Sequence, residues 1–301
     1  MKEQNIVWSE IMIILENEFL LLEVSEHGAE LKRIFHKSKK RDYLWKGGKE
    51  WRRHSPILFP NIGGMAGEKL IVDGKSYPAL PHGFARDCKF KILESSTQYV
   101  ILVLEHDETT AIYYPYKFRL AITYTLKENS VEIGWHIYNE DERTLYFSIG
   151  AHPGFMLAEN SCVEDYKIVF DKTINVQTRR VVGRYLTEEK ELVIQNCNEF
   201  HIKPELFAKD ALILEGSNIS EVSLINEKCG YFVKIKCPDF PVVALWTNPN
   251  SLDNIKFICI EPWCGINSFV NDKPEEINKK ERINELNPLE AWEKSYIIEV
   301  Q

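Results

Sequence analysis

The sequence predicts an all-β protein, a large antiparallel β-sandwich with few short helices. Three observations support this fold class. Apolar and polar residues alternate with a period of two in short segments, Gly, Pro or polar residues separate these segments, and helical periodicity is nearly absent. The predicted strands follow one another without a linker or a low-complexity break, which favours one sandwich domain over residues 1–301. The same pattern leaves a jelly roll, a barrel or a propeller open.

In the first half of the chain, the alternation predicts strands that meet at short polar turns. Asp73-Gly74 lies between two such segments and is a strong hairpin signal, because tight hairpin turns need residues that adopt a positive φ. Between 131 and 138, every second residue is apolar, so one face of that strand is expected to be buried. The predicted strands are two within Ile11–Glu23, then Ala29–His36, Lys69–Val72, Ser76–Pro78, Lys89–Leu93, Tyr99–Glu105, Phe118–Leu126 and Val131–Tyr138.

In the second half, short strands are again expected, together with two short helices. The helix predictions are Lys203–Ala208 and a turn at Pro288–Glu293, where Asn287 resembles a cap followed by Pro at the first helical position. The predicted strands are Leu145–Ala151, Lys167–Phe170, Ala211–Leu214, Glu221–Ile225, Phe232–Lys236, Val242–Thr247, Phe257–Ile260 and Tyr296–Val300.

Composition and charge argue against some classes of partner. The formal net charge is −8, and the acidic residues are spread along the chain, so a nucleic-acid partner is not expected. No basic region followed by an apolar segment opens the sequence, and no apolar run is long enough for a bilayer, so no membrane partner is expected either. Seven Cys residues without a C-x-x-C pair favour reduced thiols and a cytoplasmic location.

Glu261 is the first candidate for chemistry, because it follows the apolar run Phe257–Ile260. A Pro-Trp-Cys-Gly turn is expected directly after it. A carboxylate at a strand end above a pocket floor would serve as a general base with a fixed direction. The alternative is a Glu that caps the strand and faces water.

His82 and His152 are the next candidates, because each lies in a Pro/Gly turn after a β segment: Pro81 and Gly83 enclose His82, and Pro153-Gly154 follows His152. Imidazole is the natural general acid near neutral pH, and a carboxylate is a natural partner base. The alternative is that each His only bonds a turn carbonyl. No closely spaced His or Cys ligands occur, and convergence of His82, His152 and Glu261 on an ion is not favoured, so no metal is predicted.

Arg53, Arg86 and Trp246 are candidates for substrate binding. An Arg fork can hold paired sugar hydroxyls or a phosphate, and an aromatic ring can stack on a sugar. The alternatives are solvated Arg side chains and ordinary core aromatics.

Five motifs, taken in order, resemble the aldose 1-epimerase (galactose mutarotase) family, and within it the LacX-type branch. They span nearly the whole chain and comprise Pro56-Ile57-Leu58-Phe59-Pro60, His82-Gly83-Phe84-Ala85-Arg86, Ala151-His152-Pro153-Gly154-Phe155, Leu245-Trp246-Thr247 and Ile260-Glu261-Pro262-Trp263-Cys264-Gly265.

The resemblance implies a galactose mutarotase-like supersandwich whose concave face binds a hexose, without a cofactor. By this resemblance Glu261 takes the proton from the anomeric hydroxyl and His152 protonates the ring oxygen. His82 assists by binding the sugar near the ring oxygen, and Asp210 is the best match to an Asp that binds hydroxyls.

One departure from the family pattern concerns Gly63-Gly64, where many relatives carry a Gly-Arg pair. The sugar-binding role of that Arg is therefore assigned to Arg53 or Arg86. The expected substrate is a hexose or a hexose phosphate, and no oligomeric state is predicted. Other possibilities are a hexose-6-phosphate epimerase, a carbohydrate-binding or sensing module without catalysis, and a glycoside hydrolase, which usually needs two paired carboxylates.

Overall fold

Strands dominate the computed structural model, which describes residues 11–301. In that range it has 23 strands, one α-helix (α1, Glu108–Ala111) and six short 3₁₀ segments. The prediction of an all-β protein is confirmed. Met1–Glu10 lies outside the described residues, and the prediction of one domain over residues 1–301 stays a prediction. The strands are β1 Met12–Glu16, β2 Leu20–Ser25, β3 Leu31–His36, β4 Arg41–Asp42, β5 Ile57–Leu58, β6 Lys69–Val72, β7 Lys75–Pro78, β8 Lys91–Ser95, β9 Tyr99–Glu105, β10 Phe118–Lys127, β11 Ser130–Asn139, β12 Leu145–Phe147, β13 Ile149–Ala151, β14 Gly154–Met156, β15 Lys167–Val182, β16 Tyr185–His201, β17 Leu212–Glu215, β18 Glu221–Asn226, β19 Tyr231–Lys236, β20 Val242–Trp246, β21 Phe257–Cys264, β22 Asn284–Leu286 and β23 Ala291–Val300.

Two large antiparallel sheets form the framework. The nine-stranded sheet has the order β16-β15-β18-β19-β23-β11-β10-β9-β8, and the six-stranded sheet has the order β17-β20-β21-β13-β5, with β14 also paired to β21. A four-stranded sheet, β1 to β4, and two two-stranded sheets, β6–β7 and β12–β22, complete the described part of the chain.

The two large sheets share one hydrophobic core, which is the defining property of a sandwich. From the nine-stranded sheet, the alternating apolar residues of β11, including Ile133 and Trp135, are fully buried. From the six-stranded sheet, Ile258 and Ile260 of β21 enter the same core. Burial of one such side chain contributes roughly 1.5–3 kcal/mol, so these faces fix how the sheets lie on each other.

Strand β21 is buried on both faces. Its other face, with Phe257, Cys259 and Trp263, packs into two smaller clusters away from the main core. This explains why the segment is a continuous apolar run and not an alternating one. The prediction of a turn directly after Glu261 is therefore wrong, because β21 continues to Cys264 and Glu261 lies inside the strand.

The hairpin β15–β16 leaves the nine-stranded sheet and reaches the six-stranded one. Only Lys167–Phe170 pairs with β18. Farther along β15, Thr178 Oγ1 accepts a hydrogen bond of 2.7 Å from the Ile213 backbone N–H. The fully buried carboxylate of Glu215 holds the hairpin there through Arg179, whose Nε lies 2.6 Å away.

Several predicted elements differ from the structure. The strand predicted at Lys167–Phe170 is only the start of β15, and β16 was missed because the charged run 188–191 hides its alternation. Lys203–Ala208 contains a 3₁₀ segment at Pro204–Phe207. The helix predicted at Pro288–Glu293 is wrong, because Leu289 has a φ of 62° and β23 begins at Ala291.

Within residues 11–301, we find no helix with the length and apolar character that crossing a membrane requires.

Candidate active site

A cavity of about 320 Å³ opens beside β21 and collects most of the predicted site residues. This volume lies in the range of small-molecule sites, about 300–1,000 Å³. The lining includes Glu261, His152, His82, Arg86, Asp210 and Trp246, and also Trp51, Gly63, Arg184 and Asn267. Three distant segments of the chain therefore do meet at one hollow, as the sequence predicts.

An interruption in strand pairing places His152 opposite Glu261. β13 pairs with the end of β21 through Gly150 and Trp263, and β14 pairs with its start through Gly154 and Cys259. The register is the same on both sides, so His152, which lies between β13 and β14, faces Glu261. Pro262 is tolerated in a central strand because the ladder is interrupted beside it.

The two side chains lie in direct reach of each other. His152 Nε2 is 3.4 Å from Glu261 Oε2. Glu261 is only 1% exposed and His152 is 8% exposed. Among the described residues, neither Glu261 Oε2 nor His152 Nδ1 has a hydrogen-bond partner. The alternative of a Glu that faces water is therefore excluded by its burial.

Burial favours the uncharged form of both groups. It raises the pKa of Glu261 well above the ordinary carboxyl value, and the neighbouring carboxylate of Asp210 raises it further. Burial also lowers the pKa of His152 well below that of a free imidazole, and His82 and Arg86 lower it further. A perturbed pair of this kind in a cleft is typical of an acid–base site.

His82 is held as a neutral hydrogen-bond donor. Its Nδ1 accepts a hydrogen bond of 3.2 Å from the Gly63 N–H, which leaves Nε2 as the protonated nitrogen. Burial and the nearby charge of Arg86 lower the pKa of His82 to about 3. The turn itself depends on Gly83, which has a φ of +72° and lies so close to the Phe59 carbonyl that a Cβ would approach its oxygen to 2.0 Å. His82 and His152 are neighbours, with ring centroids 5.8 Å apart.

Two tryptophans fix the orientation of His152. Trp51 stacks on the imidazole at 4.8 Å, and Trp246 meets it edge-on at 5.4 Å. Burial raises the pKa of Asp210, and the neighbouring Trp246 side chain partly opposes this shift. Asp210 has a φ of 77°, and its Oδ1 also accepts from the Ala211 N–H at 2.8 Å.

The two predicted arginines have different positions. Arg86 lines the cavity, donates to the Pro81 carbonyl at 2.6 Å, and keeps a buried Nε that lacks a hydrogen-bond partner within residues 11–301. Arg53 is not among the described residues that line the cavity. Its guanidinium pairs with Asp87 at 2.8 Å and donates to the Arg86 carbonyl, so it contributes charge from behind the site.

Sequence reasoning missed Arg184, which enters the cavity from the tip of the β15–β16 hairpin. Its backbone carbonyl accepts a hydrogen bond of 2.9 Å from the Gly64 N–H. A Cβ on Gly64 would lie 2.7 Å from that carbonyl oxygen, so the Gly63-Gly64 pair lets the hairpin approach. The available signal was Gly183-Arg184 between two alternating segments, which is a two-residue hairpin turn. Trp51 was also missed, although it precedes the Arg pair noted in the sequence.

One group of side chains has the donor atoms of a metal site. Donor atoms of His152, Cys259 and Glu261 all lie within 4.8 Å of one another. Cys259 and Glu261 are two residues apart on β21 and therefore share a face of the strand.

Fold and site together define a class: β-sandwich proteins that carry a buried imidazole–carboxyl pair in an aromatic-lined cavity. The family model described as aldose 1-epimerase matches residues 12–299, and the chain belongs to that family. It is accordingly an enzyme of the isomerase class.

Comparison with individual proteins agrees with this assignment. Protein LacX (plasmid) of Lactococcus lactis subsp. lactis is 28% identical over 300 residues, covering 96% of this chain and 99% of the relative. The structure of a galactose mutarotase related enzyme from Lactobacillus acidophilus has a TM-score of 0.90 at 26% identity and covers 97% of both chains. A galactose mutarotase-like protein from Lactobacillus casei ATCC 334 has a TM-score of 0.90 at 25% identity, covering 97% of this chain and 100% of that one. These similarities extend over the two large sheets, and the prediction of a galactose mutarotase-like sandwich is confirmed.

Proposed function

We propose that the protein interconverts the α and β anomers of a hexose, with Glu261 as base and His152 as acid. The observation that carries the proposal is the separation of 3.4 Å between His152 Nε2 and Glu261 Oε2 inside a sugar-sized cavity. The anomeric oxygen and the ring oxygen of a pyranose are bonded to the same carbon. Two groups this close can therefore reach both oxygens at once.

The reaction needs only proton transfers. The Glu261 carboxylate takes the proton of the anomeric hydroxyl, and a carbonyl forms at C1 as the C1–O5 bond breaks. His152 gives its proton to O5, which completes an open-chain aldehyde. Rotation about C1–C2 presents the other face of the carbonyl. In the return step O5 gives its proton back to His152 and attacks C1, and Glu261 returns its proton to O1.

The remaining residues of the cavity hold the sugar during this rotation. His82 donates from Nε2 to the sugar near its ring oxygen, and Asp210 accepts from hydroxyl groups. Trp246 offers an apolar surface beside Asp210. Arg86, whose side chain lines the cavity, offers a cationic donor to the sugar.

Substitution of the acid and the base tests the mechanism. We expect Glu261→Gln and His152→Asn each to lower kcat by about 10²–10⁴-fold, because a positioned acid or base contributes about that much. Polarimetry of galactose and glucose mutarotation measures the rates. The matched control is His136→Asn. This imidazole is half-exposed and pairs with Glu293 on the nine-stranded sheet, so the variant should keep the parent rate.

Near-parent rates for Glu261→Gln or His152→Asn would remove that residue from the mechanism. Measurable sugar binding by the parent protein without any turnover would instead indicate a sensing module.

A second candidate substrate is a hexose 6-phosphate, and the presence of two arginines, Arg86 and Arg184, in the lining of one cavity favours it. Arg184 pairs only at the surface, with Glu68 at 2.9 Å, where both side chains are more than half exposed. Such a pair is weak, since exposed ion pairs contribute about 0–1 kcal/mol, so an anionic substrate can take its place.

The test compares glucose with glucose 6-phosphate in Arg184→Ala. If the phosphate is the substrate, kcat/KM for glucose 6-phosphate should fall by at least about tenfold more than kcat/KM for glucose, because a charged hydrogen bond contributes about 1.5–3 kcal/mol. Arg180→Ala is the matched control, since Arg180 lies on the same hairpin but pairs with Glu191. Equal losses on both sugars would assign the free hexose.

For the location of the protein, we infer the cytoplasm. All seven cysteines lie within the described range and are free, and thiols remain reduced in that compartment.

A further inference from the structure

Cys259 is a buried nucleophilic group that the proposed reaction does not use, and it lies beside the acid–base pair. It is fully buried on the same face of β21 as Glu261, and its strand partner is Gly154. A Cβ on Gly154 would lie 3.4 Å from the Cys259 sulfur, so the thiol is packed against backbone there. The thiol, one ring nitrogen of His152 and a carboxyl oxygen of Glu261 fall within 4.8 Å of one another.

The three donors match the ligand preferences of zinc. Zinc in proteins is bound by thiolate, imidazole and carboxylate in a tetrahedron, with metal–ligand distances of about 2.0–2.3 Å. Two ligands of such an ion lie about 3.3–3.8 Å apart. His152 Nε2 and Glu261 Oε2 already have a separation of 3.4 Å.

Charge balance also favours a divalent ion at this position. One thiolate and one carboxylate together neutralise a 2+ ion, and the imidazole is a neutral ligand. The buried site then carries no net charge, which avoids the large cost of an unpaired buried charge. Glu261 Oε2, which has no hydrogen-bond partner in the described part of the chain, gains a bond to the ion.

We infer that the cavity contains an inhibitory zinc site formed by His152, Cys259 and Glu261. Binding releases two protons to solvent, the thiol proton of Cys259 and the proton that His152 and Glu261 share. The ion occupies the lone pairs that the proposed base and acid need, so the zinc-bound protein cannot transfer protons to a sugar. The fourth position on the ion faces the cavity and takes water.

The first experiment measures binding directly and does not need turnover. Cobalt(II) replaces zinc as the probe, because a thiolate bound to cobalt gives a charge-transfer band in the near ultraviolet. The two exposed cysteines are removed beforehand by Cys162→Ser and Cys229→Ser. We expect one cobalt ion per chain with a thiolate band, and displacement of the band by zinc.

Cys259→Ser and Cys259→Ala in the same background identify the ligand. Each should lose the thiolate band and weaken metal binding by more than about tenfold. Absence of the band in the double variant, or its persistence after replacement of Cys259, would overturn the proposal. Because the double variant alone is sufficient to observe the band, poor folding of a Cys259 variant does not prevent a decision.

The second experiment measures inhibition and does rest on the proposed function. Zinc should inhibit mutarotation reversibly, with recovery on addition of EDTA, and excess hexose should weaken the inhibition by competition. Magnesium should have no effect, because it prefers all-oxygen ligands. Equal zinc inhibition of the parent and of Cys259→Ser, each relative to its own zinc-free rate, would contradict the assignment of Cys259.

Discussion

At the scale of single residues, Glu261 and His152 share one proton, and burial shifts their pKa values in opposite directions. The raised pKa of Glu261 and the lowered pKa of His152 mean that the one-proton state spans a wide pH range. Within that range, the fraction of molecules in which His152 carries the proton and Glu261 is an ionised carboxylate does not depend on pH. The pair therefore titrates as a unit.

This predicts a broad pH profile for kcat/KM. On the acid side, activity should persist below the pKa of a free imidazole. The pair takes up its second proton on His152, and this happens only well below pH 6.5. On the alkaline side, activity should fall as the proton leaves Glu261, whose pKa lies well above 4.5. Polarimetric rates across pH measure both limbs.

Asp210→Asn tests the cause of the alkaline limb. Asp210 raises the pKa of Glu261, so its removal lowers that pKa and should move the alkaline limb to lower pH. His136→Asn should leave both limbs in place. An unmoved alkaline limb in Asp210→Asn would show that another group sets it.

At the scale of elements, the site depends on two features that interrupt regular strands. The break between β13 and β14 brings His152 to Glu261, and the β15–β16 hairpin crosses from one large sheet to the other. The hairpin tip is held by Gly64 on one side and by Ser268 on the other, whose carbonyl accepts from the Leu186 N–H at 3.0 Å. Backbone contacts, and not side chains alone, therefore position Arg184.

Gly64→Ala should disturb the site more than the fold. The added Cβ would meet the Arg184 carbonyl oxygen at 2.7 Å, so the hairpin tip must move and its contribution to the cavity changes. We expect KM for the sugar to rise several-fold while the unfolding midpoint falls only slightly.

Gly230→Ala is the matched control. Gly230 has a φ of +61° in an open turn, with no described atom within 4 Å of an added Cβ. This variant should lose about 1–2 kcal/mol of stability, because an L side chain strains the backbone at a positive φ, while KM stays unchanged. A normal KM in Gly64→Ala would show that the hairpin tip does not take part in substrate binding.

The sequence predicted most strands, because alternation reports burial directly. It also indicated His82 and His152 correctly as cavity residues, since the Pro and Gly residues that form their turns can be read directly from the sequence. It failed where tertiary contacts override local pattern. β16 was missed because its solvent face is charged, although pairing with a neighbouring strand stabilises it. Pro262 indicated a turn, but β21 continues through it because the strand pairing beside it is interrupted.

At the scale of the whole molecule, the two faces of β21 divide stability from chemistry. Ile258 and Ile260 belong to the core between the large sheets, whereas Cys259 and Glu261 face the cavity side. One strand in the middle of a sheet thus joins the stable core to the reactive pair. The acid–base pair is thus held by paired strands and not by a loop, which is the support that proton transfer between fixed groups requires.

This division predicts opposite effects for adjacent substitutions. Ile260→Ala should lower the free energy of unfolding by about 2–5 kcal/mol, because it leaves a cavity in the core, yet keep most of the rate per folded molecule. Glu261→Gln should lose the rate but keep or raise the free energy of unfolding, since it removes a carboxyl that is costly to bury. Urea unfolding and polarimetry on the same samples measure both quantities. A large loss of stability in Glu261→Gln would mean that the carboxyl holds the sheet together, and a mainly catalytic role for this residue would then be untenable.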